Sequence, residues 1–390
     1  MSTRPSSAAG RQHETTSAIL DAARQVVAER GLSQLSLRVV AERAGVSVGT
    51  ISYRIGDRAT LVDALARRER AFVAAEADVW RSRLDPIDPR DADCLADLVD
   101  AWLGACATAD RTPALMQSEL VSAAHRDTAL AEHVAAATQA QAGMWRALLG
   151  EGPDAERLGR RIAAYCVDER PFSILLDGDA DYRLLRASTI RALLRGREQA
   201  PPPAADAWHA RLVARLEEPS RAAFEAGEVP RGAKAAIAER IADRIMSGGI
   251  EALSHRAIAQ ALAMPVSSIA HHFPAQRDIL LGGVETLYRR LRAEVSRADG
   301  ASPAGFAVVA LGHEMALAAL RDPGFRPFAI DMRRRRAENV HLLMSQLLTG
   351  APHADRALTQ AYVMAMVGFA LGGLAERKGG WDAEKVLARI

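Results

Sequence analysis

The sequence predicts an all-α fold of two tandem units, each a three-helix domain with a helix-turn-helix followed by a helical body. Three observations lead there. Apolar residues recur at helical spacing over most of the 390 residues, strand-period alternation is convincing nowhere, and the segment around residues 31–61 recurs 218 positions later.

Residues 1–12 are polar and are expected to be flexible. Thr16 to Arg30 places Ile19, Leu20, Ala23, Val26 and Val27 on one face of an amphipathic helix ended by Gly31. Ser36 can cap a second helix with Val39, Val40 and Ala44 turned inward; Gly45 supplies the turn. Ser47 can cap a third helix whose inner face is Ile51 and Ile55, which completes a helix-turn-helix in a domain spanning 13–60. A helix that reads DNA needs small or hydrogen-bonding residues outside, so that its backbone approaches the base edges. Val48, Gly49, Thr50, Ser52, Tyr53 and Arg54 meet that need. Taken alone, the stretch also fits a plain two-helix corner in a helical core.

Asp57 can cap a longer helix through Leu61, Leu65 and Phe72 towards Trp80, broken by the segment Asp85 to Pro89. Further helices are expected at about 91–107, 112–124, 127–149, 154–176 and 182–194, a helical body over 61–196. Pro201, Pro202 and Pro203 mark a stiff linker within 197–230, which also holds a bridging helix at about Ala205 to Glu217.

The shift of 218 lays Gly249 on Gly31, Ser254 on Ser36, Arg256 on Arg38, Ala259 on Ala41, Val266 on Val48, Ile269 on Ile51 and Ile279 on Leu61 without a gap. A corner in a core has no reason to recur with its capping serine and its basic residue at fixed offsets, so the repeat favours a duplicated domain. The second helix-turn-helix is expected at 231–278 and a second, shortened body at 279–390. Ser267, Ser268, His271 and His272 take the outer positions of its reading helix.

Both copies resemble the DNA-binding domain of the tetracycline-repressor (TetR) family of bacterial transcription regulators. The matching residues are Ala28, Glu29, Arg30 and Gly31, then Val40, Ala41, Glu42, Ala44, Gly45, Val46 and Ser47, then Gly49 and Thr50. The second copy matches through Gly249, Ile258, Ala259, Val266, Ile269, His271, His272, Phe273 and Pro274. The resemblance implies a helical dimeric regulator with a double-stranded DNA operator and a small-molecule effector as partners. It also implies that the phosphate-binding lysine of the family corresponds to Arg58 in the first copy and to Gln276, with Arg277 beside it, in the second. Two departures stand out. Ala263 replaces the turn glycine, at a cost on the order of 1 kcal/mol if its φ is positive. Pro265 replaces the capping serine, which removes a cap and suits a first helical turn.

Two copies in one chain suggest an intramolecular pseudo-dimer, with further pairing of chains left open. Because SVGTISYR and PVSSIAHH differ, the operator is expected to have two unlike half-sites about one helical turn apart. The DNA-contacting set is Ser36, Arg38, Ser47, Val48, Gly49, Thr50, Ser52, Tyr53, Arg54 and Arg58 in the first copy. In the second it is Ser254, Arg256, Ser267, Ser268, His271, His272 and Arg277. The expected function is a ligand-responsive regulator, a repressor. Its rival is a helical small-molecule-binding or interaction protein in which the second motif, or both, is structural.

A net charge of +2 leaves no tail basic enough to bind nucleic acid, so contacts must come from local clustering. Cys94, Cys106 and Cys166 fit neither a disulfide framework nor a zinc site and read as reduced thiols, and the N-terminus lacks an apolar leader; both suggest the cytoplasm, with association to the nucleoid. Ala357 to Ala375 is uncharged over nineteen residues, yet Thr359, Gln360 and three glycines suit a bundle interface and not a membrane span.

Trp102, Met116, Met144, Trp145, Tyr165 and Phe172 are candidates for a ligand pocket, against the plainer reading as core. The run Arg333 to Arg336 reads as a solvated face or an interdomain ion network. His313 and Glu314 begin like a zinc-protease motif, but Leu317 stands where the second ligand belongs. Asp177, Asp179 and Asp181 begin like a calcium loop, but Tyr182 and Ser188 occupy its glycine and acidic positions. No cofactor, metal or catalytic constellation is expected.

Overall fold

The computed structural model describes residues 7–84, 92–124, 126–217, 231–250, 253–297, 305–350, 355–374 and 383–390. All regular structure among them is helical. Two compact units result: one comprises 1–174, 368–379 and 388–390, the other 175–367 and 380–387. That division falls elsewhere than the boundary expected near residue 196.

In the first unit, α1 spans Ser7–Arg30 and starts nine residues before the expected Thr16, so residues 7–12 are helical and not loose. Ile19, Ala23, Val26 and Val27 are fully buried along it, as the spacing predicts. Helices α2 (Leu37–Ala44) and α3 (Val48–Arg54) close this small core with Val40, Ala41 and Ile51. Helix α4 (Arg58–Leu84) begins where Asp57 accepts the Thr60 N–H at 2.9 Å, and it packs along α7 (Thr128–Leu149). Its predicted break at 85–89 lies outside the described residues. Helices α5 (Ala92–Ala107), α6 (Arg111–Ala124) and α8 (Pro153–Leu176) follow within two residues of expectation.

In the second unit, α9 (Ala180–Arg195) is capped by Asp179, which explains the aspartate cluster. Asp177 and Asp181 pair with Arg186 and Arg215 at 3.2 and 2.7 Å. Helix α10 (Ala205–Arg215) covers most of the segment expected to be helical there. Helices α11 (Gly232–Gly248), α12 (His255–Leu262), α13 (Val266–His272) and α14 (Gln276–Arg297) repeat the order long, short, short, long. Ile237, Ile241, Ile245, Ile258, Ile269 and Ile279 form one buried cluster there. The remaining helices are α15 (Gly305–Ala319), α16 (Arg326–Arg334), α17 (His341–Thr349), α18 (Arg356–Leu371) and α19 (Ala383–Arg389).

The arginine run is not a solvated face. Arg333 is fully buried and donates to Gln360 Oε1 at 2.9 Å and Thr189 Oγ1 at 3.2 Å. Arg334, also buried, pairs with Asp331 at 2.7 Å and reaches Glu217 at 3.4 Å. The end of α16 turns these side chains to different neighbours, each with an acceptor, and acceptors are what make burial of a guanidinium tolerable.

Helix α18 is the uncharged stretch and is buried along most of its length; no helix among the described residues is long and apolar enough to cross a membrane. Gly368 on it is obligatory by contact, because a Cβ there would sit 1.7 Å from the carbonyl oxygen of Ala164 on α8.

Candidate nucleic-acid interface

The first motif is held by caps at each junction. Ser36 Oγ accepts the Val39 N–H at 3.3 Å to start α2. Gly45 ends that helix in the left-handed region at φ 66°, its N–H turned back to the carbonyls of Ala41 and Glu42. Ser47 Oγ accepts the Thr50 N–H at 3.0 Å and lies 2.9 Å from Thr50 Oγ1, so both hydroxyls fix the first turn of α3. Arg43 is tied to Glu29 and Gln25 on α1, which braces α2 from outside.

Opposite the buried Ile51, the outer face of α3 stands open. Tyr53 is 84% exposed and Val48 43%; Gly49 and Ser52 are exposed beside them, with Arg38 on α2. Arg54 is half-buried, and its Nη1 finds no hydrogen-bond partner. That atom is itself buried, so the open face of α3 consists of Val48, Gly49, Ser52 and Tyr53. Arg58, expected on phosphate, is turned inward: Nε donates to the Leu35 carbonyl at 2.8 Å and Nη2 to that of Leu32 at 2.9 Å. Its fork clamps the turn before α2, which leaves the two N–H groups of Nη1 and one of Nη2 for a phosphate.

Residues 253–277 show the same joints with other side chains. Ser254 Oγ accepts the Ala257 N–H at 3.1 Å. Ala263 adopts the left-handed conformation at φ 50° with its N–H on the carbonyls of Ala259 and Gln260. Pro265 starts α13 without a side-chain cap. Gln276, at the place of Arg58, donates to the Leu253 carbonyl, the counterpart of Leu35. Val266 is 47% exposed, and Arg256, Ser267 and His271 are exposed with it; Ser268 and His272 are half-buried. The His271 and His272 rings meet edge-on at 5.1 Å. Arg277 is held by Asp322 at 2.9 Å, which offsets its charge.

Residues 19–65 match the family model described as bacterial regulatory proteins, tetR family. The matched segment is similar to the DNA-binding domain of that family, which supports a DNA-binding transcriptional regulator. It covers α1 to α3 and the start of α4, the domain whose open face has just been described. No curated protein matches the chain.

Behind the TetR-type domain, the six residues expected to line a pocket are all buried instead. Trp102 and Trp145 meet edge-on at 6.3 Å, and Met116, Met144, Tyr165 and Phe172 have no more than a few per cent of their surface open. None of the six is among the residues lining the cleft described next. The open space lies nearby, between α4, α6, α7 and α8: a cleft of about 400 Å³, its solvent mouth included. Its apolar walls include Val73, Leu120, Val121, Val134 and Val167, and its polar groups include Glu69, His133, Gln141 and Arg170. Glu69 is clamped by Arg24 on α1 at 2.6 and 2.8 Å; burial pushes its carboxyl above the usual range, while Arg24 pulls it back. Among the described residues no cluster could hold a metal ion.

Proposed function

We propose that the chain is a ligand-responsive transcriptional repressor that reads an operator with two unlike half-sites through two unlike helix-turn-helix motifs. The observation that carries this reading is the outer face of α3, where Val48, Gly49, Ser52 and Tyr53 stand exposed on a helix capped by Ser47 and packed through Ile51. Support for the second motif comes from the matched joints: a serine cap at 36 and 254, a left-handed turn at 45 and 263, and a side chain from 58 or 276 on the preceding carbonyl. A symmetric dimer offers identical helices and reads palindromes; these helices present Tyr53 and Arg54 against His271 and His272. The ligand response rests on the cleft, whose α4 wall begins directly after α3 and whose Glu69 is tied to α1.

Selection of random duplex DNA by the full chain tests the reading. Two unlike half-sites, with an affinity that falls steeply between low and moderate salt, are expected. A perfect palindrome would contradict it. The second reading, in which residues 231–278 only support the fold, is favoured by one observation, the Arg277–Asp322 pair. Alanine at both His271 and His272 separates the two, since binding then stays intact only in the second.

A further inference from the structure

The proposed ligand response leaves the ligand's chemistry open, and the polar groups of the cleft narrow it. Gln141 and Arg170 are 4% and 3% exposed, and Arg170 Nη2 donates to Gln141 Oε1 at 3.2 Å. That bond fixes the amide: its oxygen faces the guanidinium, so its Nε2 faces away, and it meets no acceptor. Arg170 Nε has none either. Two buried donors, one of them charged, thus lack acceptors on residues that line the cleft, a state that folding tolerates when something else supplies the acceptor. The Trp102 ring covers the guanidinium at 5.3 Å and shields it from water. Glu76 is the nearby countercharge; burial raises its carboxyl above the usual range, against the pull of Arg170. Val73, Leu120, Val121, Val134 and Val167 give the wall its apolar contact, and its other acidic group, Glu69, is already taken by Arg24.

Resting on that ligand-response reading, we infer that this cleft takes a small apolar molecule ending in a carboxylate, with Gln141 and Arg170 donating to the carboxylate. A carboxylate brings two acceptor oxygens, and its charge suits a buried guanidinium. An alcohol of the same chain offers one oxygen and no charge. A cationic ligand would meet Arg170 unfavourably.

Calorimetric titration of the full chain with hexanoate, octanoate and decanoate, each against the matching alcohol, tests this. At least one acid is expected to bind about tenfold more tightly than its alcohol. Arg170→Met and Gln141→Leu, with native circular dichroism, should each remove most of that preference, and Arg170→Lys should keep part of it. Should Arg170→Met not fold, Gln141→Leu carries the test alone. Acid and alcohol binding within about threefold of each other, no acid binding, or a preference that survives the Gln141 change overturns the inference. DNA binding measured on the same samples keeps the two claims apart. A chain that binds DNA without preferring acids refutes the carboxylate site alone, and one that prefers acids without binding DNA refutes the regulator alone.

Discussion

The Glu119 carboxylate accepts the buried backbone N–H of Leu32 at 2.9 Å across 87 positions of sequence, and Glu314 accepts that of Ile250 at 3.2 Å across 64. Ile250 lies 218 positions after Leu32, and each precedes a pair of short helices. In the first unit this bond ties α6 to the turn that sets α2, and Gln117 and Leu120, either side of Glu119, line the cleft. Glu119→Ala should leave a buried N–H without this acceptor, at a cost of about 1 to 3 kcal/mol. Glu119→Gln keeps an acceptor oxygen and should lose less. Urea unfolding of both variants checks the order, and amide exchange at Leu32 should speed up in the alanine variant alone. Equal losses would show that the bond contributes nothing beyond the side chain's packing.

Gly45 and Ala263 occupy the same left-handed turn, at φ 66° and 50°. A Cβ at Gly45 would meet nothing within 4 Å, and Ala263 is exposed, so neither exchange alters packing. Only the backbone preference remains. Gly45→Ala should destabilise by about 1 kcal/mol and Ala263→Gly should stabilise by about as much, net of the freedom glycine adds to the unfolded chain. Thermal unfolding with shifts of opposite sign is the expected result.

Arg54 and Arg58 should behave differently although both are cations beside the reading helix. Arg54 has a donor without a partner, whereas Arg58 spends two on the carbonyls of Leu35 and Leu32. Arg54→Ala should weaken DNA binding and lower the slope of log affinity against log salt by about 1. Arg58→Gln, the residue found at 276, should keep most of the salt slope and lower thermal stability instead. Titrations at three salt concentrations distinguish them; equal slope losses would return Arg58 to a phosphate.

These contrasts also mark what the sequence could reveal. Helices, caps and turns were legible because Ser36, Ser47, Gly45 and Asp57 act on residues three or four positions away. Glu119 and Glu314 were not, because their partners lie far along the chain; Glu314 attracted notice only as half of an absent zinc motif. Their one local signal was a carboxylate on an otherwise apolar helix face. Gln141 and Arg170 carried the same signal, a polar group where the helical period calls for core. For the aromatic and methionine residues, periodicity marks burial without saying whether space remains beside them. The bonds of Arg58 to Leu35 and Leu32 were not legible, because a cation at that position can reach either phosphate or its own backbone.

His209 on α10 links the second unit to pH. It is buried, with Ser188 Oγ 3.2 Å from its Nδ1, and its pKa is pushed down to about 4, first by burial and then by the Arg333 charge. Asp206 acts in the opposite direction and Arg356 adds to the depression. In the unfolded chain the imidazole protonates near 6.5. The folded state therefore binds fewer protons between those two values, and stability falls as pH drops from 6.5 towards 4. The full difference amounts to about 3 kcal/mol at pH 4 and below, and vanishes above 7. His209→Asn keeps a polar group near Ser188 and cannot protonate. Urea unfolding between pH 7.5 and 4.5 should show a steeper loss for the native chain than for the variant, whatever the variant's absolute stability. Parallel pH profiles would mean that His209 is protonated in the folded protein, and that Arg333 and its neighbours leave room for the charge.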